Sequence, residues 1–414
     1  MTNKPSRREL IKVGLGAIPI ISMAGTVPAF LPQMAFAEQV RRPGLANDNI
    51  LVVLQLTGGN DGLNTVIPYG DDAYHRARPK IGIRESAFKL DDHFALNPAL
   101  GILKNVYDQG HLAIVNGCGY PKPNRSHFRS MEIWQTANVK ESQPQGWLGH
   151  YLDHVARGTA VAPVFPLNIG TELPQALVGE GTPVPSIERL EDFRLKTGGK
   201  SKRALLEREI VMEMNKAGPD APVAQRFLAR QATNAILATT KIQSLSQQNS
   251  AGFFFGAESL GRQLQLVANL IAANSGTRLF YVQFGSFDTH ANQPELHQRL
   301  FAQVGQALFA FHEQLKQQGV IDKVMLMCFS EFGRRVAENS SAGTDHGAAA
   351  PMFVMGGKVK GGLHGKMPSL TDLDDGDLKY TVDFRRVYAT LLDKWLNADG
   401  AKVLGEPFEG VGFI

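Results

Sequence analysis

The chain has 414 residues, 43% of them hydrophobic and 20% charged, with two cysteines and a formal net charge of +4. That composition excludes a disordered chain and a disulfide-dense scaffold. Lys4, Arg7, Arg8 and Lys12 against Glu9 give residues 1–37 a net +3, so the remainder carries only +1; neither nucleic acid nor an anionic membrane surface is an expected partner.

The N-terminus reads as a targeting segment. Ser6-Arg7-Arg8-Glu9-Leu10-Ile11-Lys12 matches the twin-arginine export pattern S-R-R-x-[FL]-[LI]-K. An apolar run from Val13 to Leu31 follows, and Ala35-Phe36-Ala37 ends it as a small-x-small cleavage site. Pro19 and Pro28 interrupt the run, which argues against a stable membrane span. Residues 1–37 are therefore expected to be a signal peptide. The twin-arginine export machinery is the expected partner, and the periplasm or the extracellular space the destination. That route moves folded proteins, which suits a chain that acquires a metal before export. No stable membrane span is expected after processing. Residues 45–414 are expected to form one α/β domain.

Short, continuous apolar runs lie at Ile50–Leu56, Leu112–Asn116, Phe165–Ile169, Leu279–Phe284, Val324–Phe329 and Met352–Met355. Such runs fit strands buried on both faces. Helical patterns alternate with them. Leu260–Ala273 repeats Leu264, Val267, Leu270 and Ile271. Glu295–Gln318 carries Leu296, Leu300, Val304, Ala307, Leu308, Phe311 and Leu315 on one stripe. Val382–Leu396 turns Val387, Leu391, Leu392 and Trp395 inward. The alternation predicts a doubly wound, mostly parallel sheet in a three-layer α/β arrangement. Residues 188–250 are polar and helical in pattern and read as an insertion over one end of the sheet. Gly- and Pro-rich stretches at 117–124 and 356–368 read as loops. Cys118 and Cys328, in or just after apolar runs, read as two buried free thiols.

Acids and imidazoles follow several of these runs. Asp61 closes Thr57-Gly-Gly-Asn-Asp-Gly62, where the glycines permit a tight turn and close approach of a ligand. The G-x-G-x-x-G spacing is absent there, which argues against a dinucleotide site. Asn124-Arg125-Ser126-His127-Phe128 opens a helical pattern. Ser126 reads either as an N-cap or as a nucleophile at a helix N-terminus, and His127 as its base or another site residue. Asp288 and His290 follow the Leu279–Phe284 run at i, i+2 spacing, and Asp345-His346 sits in a later loop. Arg334, near Glu331, reads as an anion clamp or a structural ion pair. His364 stands in Gly361-Gly-Leu-His-Gly365 and reads as a ligand or as a solvated side chain. Oxygen and imidazole ligands of this kind suit a divalent metal (Zn, Mn, Mg or Ca).

The segments L-T-G-G-N-D-G-L-N, N-R-S-H-F, G-x-F-D-T-H, S-E-F-G-R and G-T-D-H-G run in order through nearly the whole chain after the leader. Together they resemble the family numbered 1501 among domains of unknown function. That family in turn resembles the alkaline phosphatase and sulfatase superfamily in its core fold. The resemblance implies a site of two metal ions. Asp61, Ser126, Asp345 and His346 would surround one ion, and Asp288, His290 and His364 the other. It implies in-line displacement at a phosphate or sulfate ester. The sulfatase formylglycine segment is not matched, since Cys118-Gly-Tyr-Pro121 places its proline one position late.

The leading expectation is thus an exported, metal-dependent hydrolase or transferase. Its substrate would be an anionic small molecule or polymer, with Ser126, His127 and Arg334 catalytic. The alternative is a non-catalytic exported protein that binds a cell-envelope polymer or a partner, docking through residues 188–250.

Overall fold

The structure is a computed structural model and describes residues 48–157, 165–180, 184, 186–188, 253–256, 258–274 and 276–414. The expected signal peptide and the expected helical insertion both lie outside the described residues, apart from residue 188. One sheet organises the rest. Its strands are β1 (Ile50–Leu56), β2 (Leu112–Gly119), β3 (Phe165–Ile169), β4 (Ser186–Ile187), β5 (Thr277–Phe284), β6 (Val324–Ser330), β7 (Ala350–Gly356), β8 (Gly362–His364) and β9 (Val382–Asp383). The spatial order is β8-β2-β7-β6-β1-β5-β3-β4, with β9 also pairing β2. Every pairing is parallel except the two made by β7.

The continuous apolar runs are explained by burial on both faces. Along β1, Leu51 and Val53 enter one core, while Val52, Leu54 and Leu56 enter the other. The helices used below are α1 (Asp72–Ala77), α2 (His127–Thr136), α3 (Trp147–Arg157), α4 (Ser259–Ala272), α5 (Gln293–Gln317) and α6 (Phe384–Thr390). Residues of α4 and α5 cover the face of Val52 and Leu54, and those of α2, α3 and α6 cover the face of Leu51 and Val53. The result is a three-layer α/β fold. No helix among the described residues is long and apolar enough to cross a membrane.

Three expectations need correction. The Val382–Leu396 segment is not helical from its start. Val382 and Asp383 pair with Cys118 and Gly119, and Asp383 then caps α6 by accepting the Arg385 N–H. The 356–368 stretch contains β8. Leu296 is 36% exposed, because Gln293 and His297 carry the buried stripe at that end of α5. The cysteines are buried and free, as the sequence suggested. They sit on β2 and β6 with β7 between, a separation of roughly 10 Å, and on opposite faces, so they cannot be bridged.

Strand polarity positions the site. Parallel strands send their following loops to the same sheet edge, where ligands bind in open α/β sheets. The reversal at β7 extends the rule. The chain leaves β6 at that edge, makes the loop 331–349, and re-enters at the start of β7 without crossing the sheet. Residues after β1, β2, β5 and β6, and those before β7, are thereby gathered at one place.

Trp134 on α2 anchors the helix that borders this edge. Its ring stacks on Phe329 at 5.3 Å and on Phe384 at 4.2 Å. Trp134→Ala is expected to cost about 3–5 kcal/mol of stability, read from urea unfolding. A loss below about 1 kcal/mol would contradict the anchoring role assigned to this ring.

Candidate metal centre

The first strand-end loop is shaped by close approach. Gly58 has φ +113°, and a Cβ there would lie 2.5 Å from the Asp288 backbone nitrogen. At Gly59 (φ +69°) a Cβ would strike the Phe332 ring. The two glycines let the loops after β1, β5 and β6 touch. Arg334 then fastens them. It is 1% exposed, and its guanidinium donates to the carbonyls of Gly58, Gly59, Phe287 and Thr344 and to Asp288 Oδ1 at 2.7 Å. Arg334 also pairs with His346 across a β-bridge. Its donors are committed to the protein, so the expected anion clamp becomes an internal strut.

Three imidazoles converge on Asp288. His290 Nε2 lies 3.0 Å and His346 Nε2 3.1 Å from Asp288 Oδ1, and His127 Nε2 lies 3.4 Å from Oδ2. The two nitrogens His290 Nε2 and His346 Nε2 are 2.9 Å apart. Among the described residues, His127, Asp288 and His346 offer ligand atoms that all lie within 4.8 Å of one another.

The opposite ring nitrogens face oxygen acceptors. His127 Nδ1 faces Glu331 Oε1 at 2.8 Å, His290 Nδ1 faces Asp345 Oδ1 at 3.3 Å, and His346 Nδ1 faces the Arg125 carbonyl at 2.7 Å. Ionised carboxylates and carbonyls only accept, so each Nδ1 can place a hydrogen there; the Nε2 atoms face Asp288 and one another, where either a hydrogen on Nε2 or a bound cation satisfies the carboxylate. Oxygen acceptors on the far ring nitrogen are the usual partners of metal-ligating histidines. His127 Nε2 is buried and has no hydrogen-bond partner.

The charges agree with that picture. Burial works to raise the Asp288 carboxyl, but hydrogen bonds from Arg334 and His346 and the charges of Arg334 and His127 outweigh it and hold it at about 2. The hydrogen bond from Asn339, followed by that from His290, keeps the Asp345 carboxyl below its usual range. The Glu331 hydrogen bond, against burial, lifts the His127 imidazole above its ordinary value. Asp288, Asp345 and Glu331 oppose the single charge of Arg334, leaving the pocket electron-rich. The spacings from Asp288 to the three Nε2 atoms and between His290 and His346, 2.9–3.4 Å, are near the roughly 3.3 Å between neighbouring ligands of an ion with bonds of about 2.0 Å. The donor set therefore fits a divalent metal of borderline softness.

Not every expected site residue joins this cluster. Asp61 is fully buried, and Arg78 takes both its oxygens, at 2.6 and 2.9 Å, while Gln293 donates to Oδ2 at 2.5 Å. Arg78 follows α1, so the pair staples α1 to the β1 loop. Burial would raise the Asp61 carboxyl, but the Arg78 charge prevails and lowers it. His364 stands on the edge strand β8, where its Nε2 bonds the Lys360 carbonyl at 2.7 Å. The described residues thus bring Asp288, His290 and His346 together with His127, rather than dividing them into the two expected ligand sets. Asp345 orients His290. Arg125 is paired with Asp375 and Asp377. Ser126 precedes α2, is exposed, and makes no side-chain cap bond. It lies between Arg125, whose carbonyl meets His346, and His127.

Sequence reading gave Glu331 no role and made His127 a base or another site residue. The available signal was position: Glu331 directly follows a strand, and His127 begins the helix after another.

Two expectations follow from the buried groups behind the cluster. Asp61→Asn is expected to cost about 3–5 kcal/mol, because it leaves Arg78 buried without its counter-charge. Metal affinity should be unchanged, as followed by calorimetric titration; a variant of normal stability that binds no metal would reverse the assignment. His297, in contact with Thr289, is pushed down to about 4 by burial, against the charge of Asp61. Between pH 6.5 and about 4 the unfolded chain binds this proton and the folded chain does not. Stability should therefore fall as pH falls through that window, by on the order of 3 kcal/mol from this group. His297→Gln should flatten the slope in urea unfolding measured across those pH values, and an unchanged slope would rule His297 out as its source.

The family model described as Protein of unknown function (DUF1501) matches residues 111–406. No curated protein matches. Among solved structures, the lipoteichoic acid synthase LtaP from Listeria monocytogenes is similar at TM-score 0.31 and 10% identity, over 80% of this chain and 72% of that one. Ps i-CgsB, solved in complex with k-i-k-neocarrahexaose, is similar at TM-score 0.32 and 10% identity, over 87% and 73%. The alkaline phosphatase from the Antarctic bacterium TAB5 gives TM-score 0.27 and 10% identity, over 75% and 92%. Likeness at this level decides nothing about substrate or reaction.

Proposed function

Because the chain belongs to the family described as Protein of unknown function (DUF1501), its activity has to be argued from its site, and we propose that it is an exported, metal-dependent hydrolase or transferase of anionic esters. One observation supports this most: three imidazoles with their Nδ1 atoms on oxygen acceptors turn their Nε2 atoms toward one ionised carboxylate. With the Nδ1 hydrogens directed outward, a cation among the Nε2 atoms would be bound by all of them together with the carboxylate. His127, Asp288, His290 and His346 would hold it, with Glu331, Asp345 and the Arg125 carbonyl orienting the rings.

A divalent ion bound there supplies positive charge to an ester oxygen and favours the ionised form of an oxygen nucleophile. The chain's own residues do the rest. Ser126 offers an exposed hydroxyl at the start of α2, beside His127. In the proposed reaction the Ser126 hydroxyl gives its proton to solvent, a bond from Oγ to the phosphorus or sulfur of the ester forms as the bond to the leaving oxygen breaks, the leaving oxygen takes a proton from water, and water or an acceptor alcohol then displaces the group from Oγ. The free N–H groups at the helix start favour an anion in that position. Arg334 holds the three loops in register and does not meet the substrate. Phosphate and sulfate esters are the substrate class that this chemistry suits. The proposed destination, outside the cytoplasm, rests on the Ser6–Lys12 signal.

Elemental analysis of protein purified through its export route tests the reading. About one equivalent of divalent metal is expected, lost in Asp288→Ala and His346→Ala. With the metal present, a panel of phosphate and sulfate esters should reveal turnover that Ser126→Ala lowers by at least 100-fold. Metal-free protein whose thermal midpoint no divalent ion raises would overturn the proposal. Metal retention without ester turnover would favour a binding protein for an anionic envelope polymer instead.

A further inference from the structure

Glu331 has no exposed surface and faces His127 across an ion-pair distance. A buried carboxylate is costly unless its oxygens are satisfied. Here they are. Oε1 accepts from both His127 Nδ1 and the Gly58 N–H, each at 2.8 Å, and Oε2 meets Ser330 Oγ at 3.2 Å. The Glu331 carbonyl accepts from Ser130 Oγ on α2. One residue thus touches the β1 loop, the end of β6 and the helix that carries His127.

We propose that Glu331 is a positioning residue that makes His127 a ligand, through the charge of its carboxylate as well as its hydrogen bond. A negative acceptor at Nδ1 fixes the hydrogen there. It also raises the electron density of the ring, so that Nε2 binds a cation more strongly. The inference rests on the metal reading proposed above. It goes further in assigning part of the affinity to a residue that would not touch the metal.

The geometry offers a substitution that separates charge from contact. In Glu331→Gln the amide oxygen can accept from His127 and Gly58 as Oε1 does now. The amide nitrogen can donate to Ser330 Oγ, whose own hydrogen goes to the Leu56 carbonyl. The contacts persist and the charge is lost. Zinc titration by calorimetry, with thermal midpoints recorded with and without the ion, is expected to show affinity falling about 10- to 100-fold. The metal-free midpoint should be unchanged or higher, since a buried charge has been removed. Glu331→Gln binding zinc as tightly as wild type would overturn the positioning role and leave the metal reading standing. Wild type that binds no zinc would overturn both.

A second measurement does not depend on the variant folding. Nitrogen-15 spectra of histidine-labelled wild type should show the His127 hydrogen on Nδ1 before and after zinc is added, with only the Nε2 resonance moving strongly. A His127 ring with its hydrogen on Nε2 and none on Nδ1 in the metal-free protein would contradict the proposal.

Discussion

A buried guanidinium holds the strand-end loops of this protein together, and the candidate site is built on it. The chain must leave β1, β5 and β6 at one sheet edge and still satisfy the carbonyls that crowd there. Arg334 meets that requirement, with donors on Gly58, Gly59, Phe287 and Thr344 and a charge-assisted bond to Asp288. Five donors in a rigid fork are what lysine lacks. The two glycines at 58 and 59 are the other half of the arrangement, because any side chain there would displace the Asp288 backbone or the Phe332 ring.

The constraint has an electrostatic consequence. A cation beside Asp288 lowers the attraction of that carboxylate for a second cation, yet the cluster remains rich in electron pairs. Glu331 and Asp345 compensate from behind the rings, at His127 and His290, while the Arg125 carbonyl does so at His346. Arg334 therefore fixes geometry at some cost in affinity, and the outer acceptors offset it. Such division of labour is common where a site must be both stiff and charged.

Much of the fold was legible because buried parallel strands write continuous apolar runs. Ile50–Leu56 and Phe165–Ile169 begin and end where the runs do. The start of α6 was not legible, since Val382 and Asp383 carry the same apolar-polar signal in a bridge to β2 as in a helix. At the candidate site, Asp288, His290, Asp345 and His346 come together, and their grouping was legible because they follow strand ends in tight acid–imidazole groups. Asp61 was misplaced for a physical reason: an acid after a strand looks the same whether it faces a cation or a buried arginine. Its partner Arg78 is 17 residues away, and nothing local marks the pair. Glu331 was overlooked because a buried carboxylate's partners, Gly58 and His127, are distant in the chain.

Three inward Nε2 atoms and Asp288 define one proposed cation site at the carboxyl edge of the sheet. Anomalous diffraction from crystals of the exported protein grown with zinc or manganese examines it directly. A single strong peak bounded by His127, Asp288, His290 and His346 is expected. A well-ordered crystal without density there, or with the ion bound only at Asp61 or His364, would contradict the account.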